Sequence, residues 1–185
     1  MTAHERLKPL KHPRLLLATL VLNSITVTLD GTIANVALPH MQGGLAATQD
    51  QIGWVLTSYI VATAICLPLT GMLTSRLGRR KFMLISMGGF MLASMLCGTA
   101  TSLTQMVLFR ILQGMFGACL PSLGQVTLIE SYPPEQHGKL LSIWGFGAMI
   151  GPILGPTLGG YLTEALNWRW VFYVNVPICL LALTG

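Results

Sequence analysis

Long apolar stretches alternate with short polar ones along the whole of this 185-residue chain. Residues 51–75 contain no Asp, Glu, Lys or Arg, and neither do 82–109, 111–129 and 140–163. The polar run TATSLTQ at 99–105 divides the second of these stretches. A helix needs about 20 mostly apolar residues to cross the hydrocarbon of a bilayer. The pattern therefore predicts membrane spans at about 15–38, 51–74, 82–99, 104–129 and 139–163. A sixth apolar run starts near Trp170 and reaches Gly185 without a polar flank. That run is too short to span, so the chain is expected to be the N-terminal portion of a longer protein, with its sixth helix incomplete over 170–185.

Composition removes the main rival, a set of core helices from a large soluble protein. Only 9% of the residues are charged and 52% are hydrophobic, whereas a soluble domain carries about a quarter charged residues. Too little polar material remains to face water. The loops between spans are short, leaving no room for an ATP-binding domain or a soluble catalytic site. No P-loop, HExxH or Cys/His cluster is present, so the expected function is not enzymatic and involves neither a metal nor a cofactor. Cys66, Cys97, Cys119 and Cys179 fall inside predicted spans without CxxC spacing and read as small apolar residues. His4, His12, His40 and His137 lie at or beyond predicted span ends. The first apolar segment is too long for a cleavable signal peptide and lacks a small-residue cleavage site.

Charge orients the bundle. Arg6, Lys8, Lys11 and Arg14 precede the first span, Arg76, Arg79, Arg80 and Lys81 follow the second, and Lys139 follows the fourth. The opposite loops hold Arg169 alone. Cytoplasmic loops are enriched in Lys and Arg, so residues 1–14 are expected to form a cytoplasmic basic tail and 15–185 the transmembrane helical bundle. The net charge of +5 then reflects topology and contact with anionic lipid, with no nucleic-acid partner implied.

Four stretches carry more than topology. In GMLTSRLGRRKF at 71–82, four cations crowd a turn in which Gly78 can take positive φ. Its G-x-x-x-S-R-x-G-R-R-K spacing resembles the loop between the second and third spans of the major facilitator superfamily. There the loop packs on helix ends and helps stabilise the outward-open state, which makes Gly71, Ser75, Arg76, Gly78, Arg79 and Arg80 a conformational-switch loop by resemblance. Ser75 stands where the family usually has an acid. Glu130, at the cytoplasmic end of the fourth predicted span, is a substitute partner for Arg79 or Arg76; a solvated glutamate is the equal alternative.

The second stretch, RILQGMFGACLPSLGQ at 110–125, opens with a charge about six residues, roughly 9 Å, inside a span. Arginines near span ends often snorkel to the interface. Here R-x-x-Q-G-x-x-G-A resembles the fourth-span motif of the same superfamily, where the arginine faces the central cavity. In the fifth span, Gly147, Gly151, Gly155 and Gly159 recur every four residues and form one drifting stripe suited to close helix packing. Pro152 and Pro156 each remove a backbone donor and are expected to bend the helix. This GPxxGPxxGG run, which includes Gly160, resembles the motif that marks antiporters within the superfamily. Finally, Trp168 and Trp170 flank Arg169 in WRWVFYVNVPI, as an interfacial aromatic belt would. The same run is similar to the start of the sixth span in the EmrB/QacA drug-resistance branch, whose members typically have fourteen spans and exchange protons for drugs.

Against that background one acid stands out. Asp30 lies in LDGTIANVALP at 29–39, about nine residues or roughly 13 Å below a span end placed near Pro39. Charged residues inside a span cost about 2.5–3.5 kcal/mol on insertion scales and usually have a function. Arg110 sits at a similar depth on another span, so the two can share a polar cavity or pair as a structural lock. D-x-T-I-x-N-V-A-L-P is similar to the first-span signature of the fourteen-span exporters, matched at Asp30, Thr32, Ile33, Asn35, Val36, Ala37, Leu38 and Pro39. The resemblance implies that Asp30 takes a coupling proton or a cationic substrate and that Arg110 modulates it. Asn23, Thr26, Asn35, Gln113 and Gln125 are the polar residues available to line a cavity.

The expected fold is an all-α integral membrane protein, the N-terminal six-helix half of the major facilitator fold, built from inverted repeats. The expected function is a share in proton-coupled multidrug efflux by alternating access in the bacterial inner membrane, powered by the proton gradient. Expected partners are amphipathic or cationic drug-like substrates, protons, membrane lipid, the C-terminal half of the transporter and, in part of the family, a periplasmic adaptor protein. A narrow-specificity exporter of a metabolite or antibiotic and a non-transporting truncated membrane protein are the alternatives.

Overall fold

A computed structural model describes residues 13–183. His4, Arg6, Lys8, Lys11 and His12 of the basic tail, and the last two residues of the sixth predicted span, lie outside the described residues. The first helix, α1 (Pro13–Gly44), opens with proline at a position where a missing N–H breaks no helical bond. It does not stop near Pro39, as the sequence suggested, but passes through that proline to Gly44. The turn beyond Pro39 carries Met41, and Leu45 follows; both are buried with Trp168, Val171 and Phe172. Packing of that turn outweighs the single backbone bond the proline removes.

The second span is also revised. It comprises α2 (Gln49–Ile52), α3 (Trp54–Cys66) and α4 (Leu69–Leu77), and it bends by 61° at the break after Cys66. Thr48 starts it with a capping box: its hydroxyl accepts from the Gln51 N–H while the Gln51 side chain accepts from the Thr48 N–H. Pro68 stands at the bend and has no N–H to continue the α3 ladder. The span expected over 51–74 is therefore helical on both sides of a bend.

At the turn between α4 and α5 (Arg79–Thr99), Gly78 adopts φ 80° and ψ 142°. A side chain is strained in this conformation even though the space around Gly78 is open. Gly78→Ala is expected to destabilise the protein by about 1–3 kcal/mol, read as a lowered melting temperature in detergent.

The fourth span runs Leu103–Ser131 as α6 (Leu103–Gly117) and α7 (Leu120–Ser131). Ser102 caps α6 by accepting from the Gln105 N–H. The fifth is α8 (Pro134–Ala165), and the sixth consists of α9 (Trp170–Tyr173) and α10 (Asn175–Leu183). Among the described residues, four helices are long and apolar enough to cross a membrane, and five if the bent pair counts as one span; Trp170–Leu183 is shorter.

Packing inverts the logic of a soluble domain. Phe146, Ile153, Tyr161, Ile65 and Leu181 are exposed, while Asp30, Arg110, Gln113 and Asn175 are fully buried. The most extensive helix pairing is α1 on α8. Gly147, Gly151, Gly155 and Gly159 face α1, whose residues stand where their side chains would be. Thr32 donates across this seam to the Gly151 carbonyl at 3.1 Å. Gly160 faces open space and takes no part in the stripe. Pro152 and Pro156 are exposed, away from α1, and α8 remains one uninterrupted helix through both. The bend anticipated there does not break the helix, because the remaining ladder and the seam with α1 hold it.

Candidate functional site

Four helices bring polar side chains to one point in the bundle. Asp30, in the middle of α1, has no side-chain exposure, and neither does Arg110 on α6. Arg110 Nη1 donates to Asp30 Oδ2 at 2.6 Å and to Gln113 Oε1 at 2.7 Å. Arg110 and Gln113 are three residues apart and therefore share a face of α6. Arg110 Nε donates to the Val55 carbonyl of α3 at 3.1 Å. The guanidinium also lies over the Tyr59 ring, 4.3 Å from its centroid, and 5.7 Å from the centroid of Phe172. Aromatic faces and a backbone carbonyl thus accompany the carboxylate as partners of this cation, which has left water altogether.

The other carboxylate oxygen is held by amides. Gln113 Nε2 donates to Asp30 Oδ1 at 2.9 Å, and Asn175 Nδ2, at the start of α10, donates to the same oxygen at 2.6 Å. Both amide nitrogens also donate to Ser94 Oγ on α5, at 3.2 and 3.0 Å. The Ser94 hydroxyl in turn donates to the Phe172 carbonyl at 2.9 Å. Charge-assisted hydrogen bonds of this kind are roughly twice as strong as neutral ones. The array therefore ties spans one, three, four and six to a single acid.

Of the two arrangements left open by the sequence, shared cavity or direct pair, Asp30 and Arg110 adopt the pair. Gln113 joins them. Thr26 and Asn23 are buried one and two turns from Asp30 on the same side of α1, where the Thr26 hydroxyl bonds back to the Leu22 carbonyl. Asn35 and Gln125 are exposed and take no part in this buried array. Asn175 and Ser94 carried no functional assignment from the sequence. A weak signal existed for Asn175: one amide inside the otherwise apolar run VNVPICLLAL.

At the opposite end of α5 lies the basic turn. Arg79 and Glu130 form an ion pair with both side chains partly exposed, the pairing anticipated from the missing acid at Ser75. Ser75 bonds back to the Met72 carbonyl in its own helix at 2.8 Å. Arg76 and Arg80 are exposed, and Gly71 has open space around it. Gly114 and Gly117 of α6 permit close approach, against the Tyr59 carbonyl and the Phe90 ring respectively.

Comparison with known proteins agrees with this architecture. The family model for the Major Facilitator Superfamily matches residues 20–184. The multidrug export protein EmrB of Haemophilus influenzae is 41% identical over 178 residues, covering 95% of this chain and 35% of that protein. The fatty acid resistance protein FarB of Neisseria gonorrhoeae is 42% identical over 176 residues, covering 94% and 35%. The chain thus spans about a third of the length of these curated relatives. Among solved structures, a D-xylose-proton symporter superposes with a TM-score of 0.79 at 20% identity, over 93% of this chain and 46% of that one. At that identity the likeness speaks for the fold alone, an all-helical bundle. The family model matches residues 20–184 and the long helices are apolar enough to cross a membrane, so the chain belongs to the Major Facilitator Superfamily as part of a multi-pass membrane protein.

Proposed function

We propose that this chain is the N-terminal portion of a proton-coupled exporter of small amphipathic or cationic compounds, working by alternating access together with the rest of its protein. The observation that carries this reading is Asp30, an acid at zero exposure in a membrane span, held by donors from two other spans. A carboxylate in that position has two states of very different cost, charged with its donors in place or neutral without them. Taking up a proton therefore changes the bonds between helices, as coupling of a gradient to rearrangement requires. The relatives' names, multidrug export and fatty acid resistance, favour export of small apolar compounds. The basic turn at 76–81 and Arg14 orient the N-terminus to the cytoplasm in a bacterial inner membrane. In this reading Arg110 modulates the acid, and the Arg79–Glu130 pair belongs to the contacts that change between conformations.

The test uses the complete protein in everted membrane vesicles, with proton-driven accumulation of a fluorescent cationic drug as readout. Asp30→Asn is expected to reduce exchange to background, and Asp30→Glu, which keeps a carboxyl group, to retain part of it. Wild-type exchange by Asp30→Asn would remove the basis of the proposal.

A further inference from the structure

Hydrogen bookkeeping around Asp30 Oδ1 leads beyond its pairing with Arg110. Each amide nitrogen carries two hydrogens. Gln113 directs one to Asp30 Oδ1 and one to Ser94 Oγ, and Asn175 does the same. The single hydroxyl hydrogen of Ser94 goes to the Phe172 carbonyl. Every group facing Oδ1 is therefore a donor, and the ring is closed around an ionised carboxylate. The titratable groups nearest in the field of Asp30 are Arg110 on α6, Tyr59 on α3, Cys97 on α5 and Cys179 on α10.

A proton on Asp30 turns an acceptor into a donor, and the ring offers it nothing. Gln113 is fixed at its other end, since its Oε1 accepts from Arg110 Nη1 and from the Cys97 thiol. Asn175 is not fixed in this way: no protein group among the described residues bonds its Oδ1, which is buried. A half-turn of its amide presents Oδ1 to the protonated acid and withdraws the nitrogen from both Asp30 Oδ1 and Ser94. Asn175 is also the first residue of α10, next to the break at Val174 that separates α9 from α10. On the other side of that break lies Phe172, whose carbonyl is held by Ser94.

From this geometry we infer that Asn175 is a positioning residue that conveys the charge state of Asp30 to the sixth span: its amide donates to the ionised carboxylate and, rotated, accepts from the protonated one. Protonation then gives up the α10–α5 bond and reverses the direction of the α10–α1 bond, next to the turn at Val174 in the sixth span. The inference rests on Asp30 as the proton site proposed above, and its failure is distinguishable from failure of that site.

Infrared difference spectra of the complete protein in lipid, between acidic and alkaline pH, provide the test. A carboxylic-acid carbonyl band that disappears in Asp30→Asn is expected, together with a side-chain amide carbonyl band that shifts with isotope-labelled asparagine and disappears in Asn175→Leu. Isotope labelling of the wild-type protein gives the second result even if Asn175→Leu fails to accumulate, and the smaller Asn175→Thr then serves for assignment. Drug-driven proton exchange by Asn175→Leu is expected to fall roughly tenfold, the size of one charge-assisted hydrogen bond, with drug affinity unchanged. An Asp30 band without any asparagine band would overturn the role of Asn175 and leave the proton site standing. Absence of the Asp30 band would overturn both.

Discussion

Arg110→Met in the complete protein is expected to remove most folded protein from the membrane, and adding Asp30→Asn to restore it. The single substitution leaves Asp30 buried with its Oδ2 unpartnered. Breaking one half of a buried ion pair costs about 3–5 kcal/mol, whereas replacing both halves by groups of similar size is often neutral. Net stabilities are only about 5–15 kcal/mol, so the single loss is large. In the double variant, an asparagine at position 30 can still accept from Gln113 and Asn175 through its carbonyl oxygen, and methionine can occupy the space between Tyr59 and Phe172. The readouts are the yield of monodisperse protein in detergent and its melting temperature. Neither variant is expected to exchange protons. Normal yield for Arg110→Met alone would show that the pair does not hold the bundle.

The second large effect is expected at the seam between α1 and α8. A Cβ at Gly151 would overlap Thr28 Oγ1 and the backbone of Thr28 and Leu29, and at Gly155 it would overlap Thr32 Oγ1. A side-chain tip can rotate away, but the backbone of α1 cannot move without carrying Asp30 with it. Overpacking typically costs about 1–3 kcal/mol and more where the neighbour is rigid. Gly151→Val is therefore expected to abolish folded protein or lower its melting temperature sharply. Gly155→Val should follow closely, since Thr32 also bonds the Gly151 carbonyl. Gly159→Ala meets Ile33 at 3.1 Å and should be milder. Gly160→Val, in open space on the same helix, is the control. If it destabilises as much as Gly151→Val, helix propensity and not the seam explains the loss.

Features set by burial were readable from residue type and spacing. Charge-free runs gave the spans, because lipid and protein interior exclude charge alike. Four-residue spacing gave the glycine seam, because a helix repeats at nearly that period. Similar depth allowed Asp30 and Arg110 to share a cavity or pair, and a missing acid at Ser75 made Glu130 a partner for Arg79 or Arg76, with a solvated glutamate equally open. Features set by tertiary context were not readable. Two prolines lie within the first two spans, yet Pro39 is absorbed by packing of Met41 and Leu45 while Pro68 marks a 61° bend. Nothing local distinguishes them. Ser94 and Asn175 are single small polar groups in apolar runs, and their meaning depends on which atoms meet them from helices far away in sequence. Periodicity says that such a residue is buried, not what it bonds.

That distance has a consequence for how the protein is made. Asp30 and Arg110 are 80 residues apart, and Asp30 and Asn175 are 145 apart. A chain entering the membrane from its N-terminus delivers the acid long before the first cation that can meet it and longer still before the second amide. During that interval the first span carries a penalty of about 2.5–3.5 kcal/mol for a charge at depth, with nothing in the nascent chain to offset it. The acid thus acts as a clock on biogenesis: α1 must wait at the insertion machinery or near the headgroups until the fourth span arrives. The last bond of the array closes only as the sixth span emerges, so completion of the polar centre reports that these helices have been assembled in order.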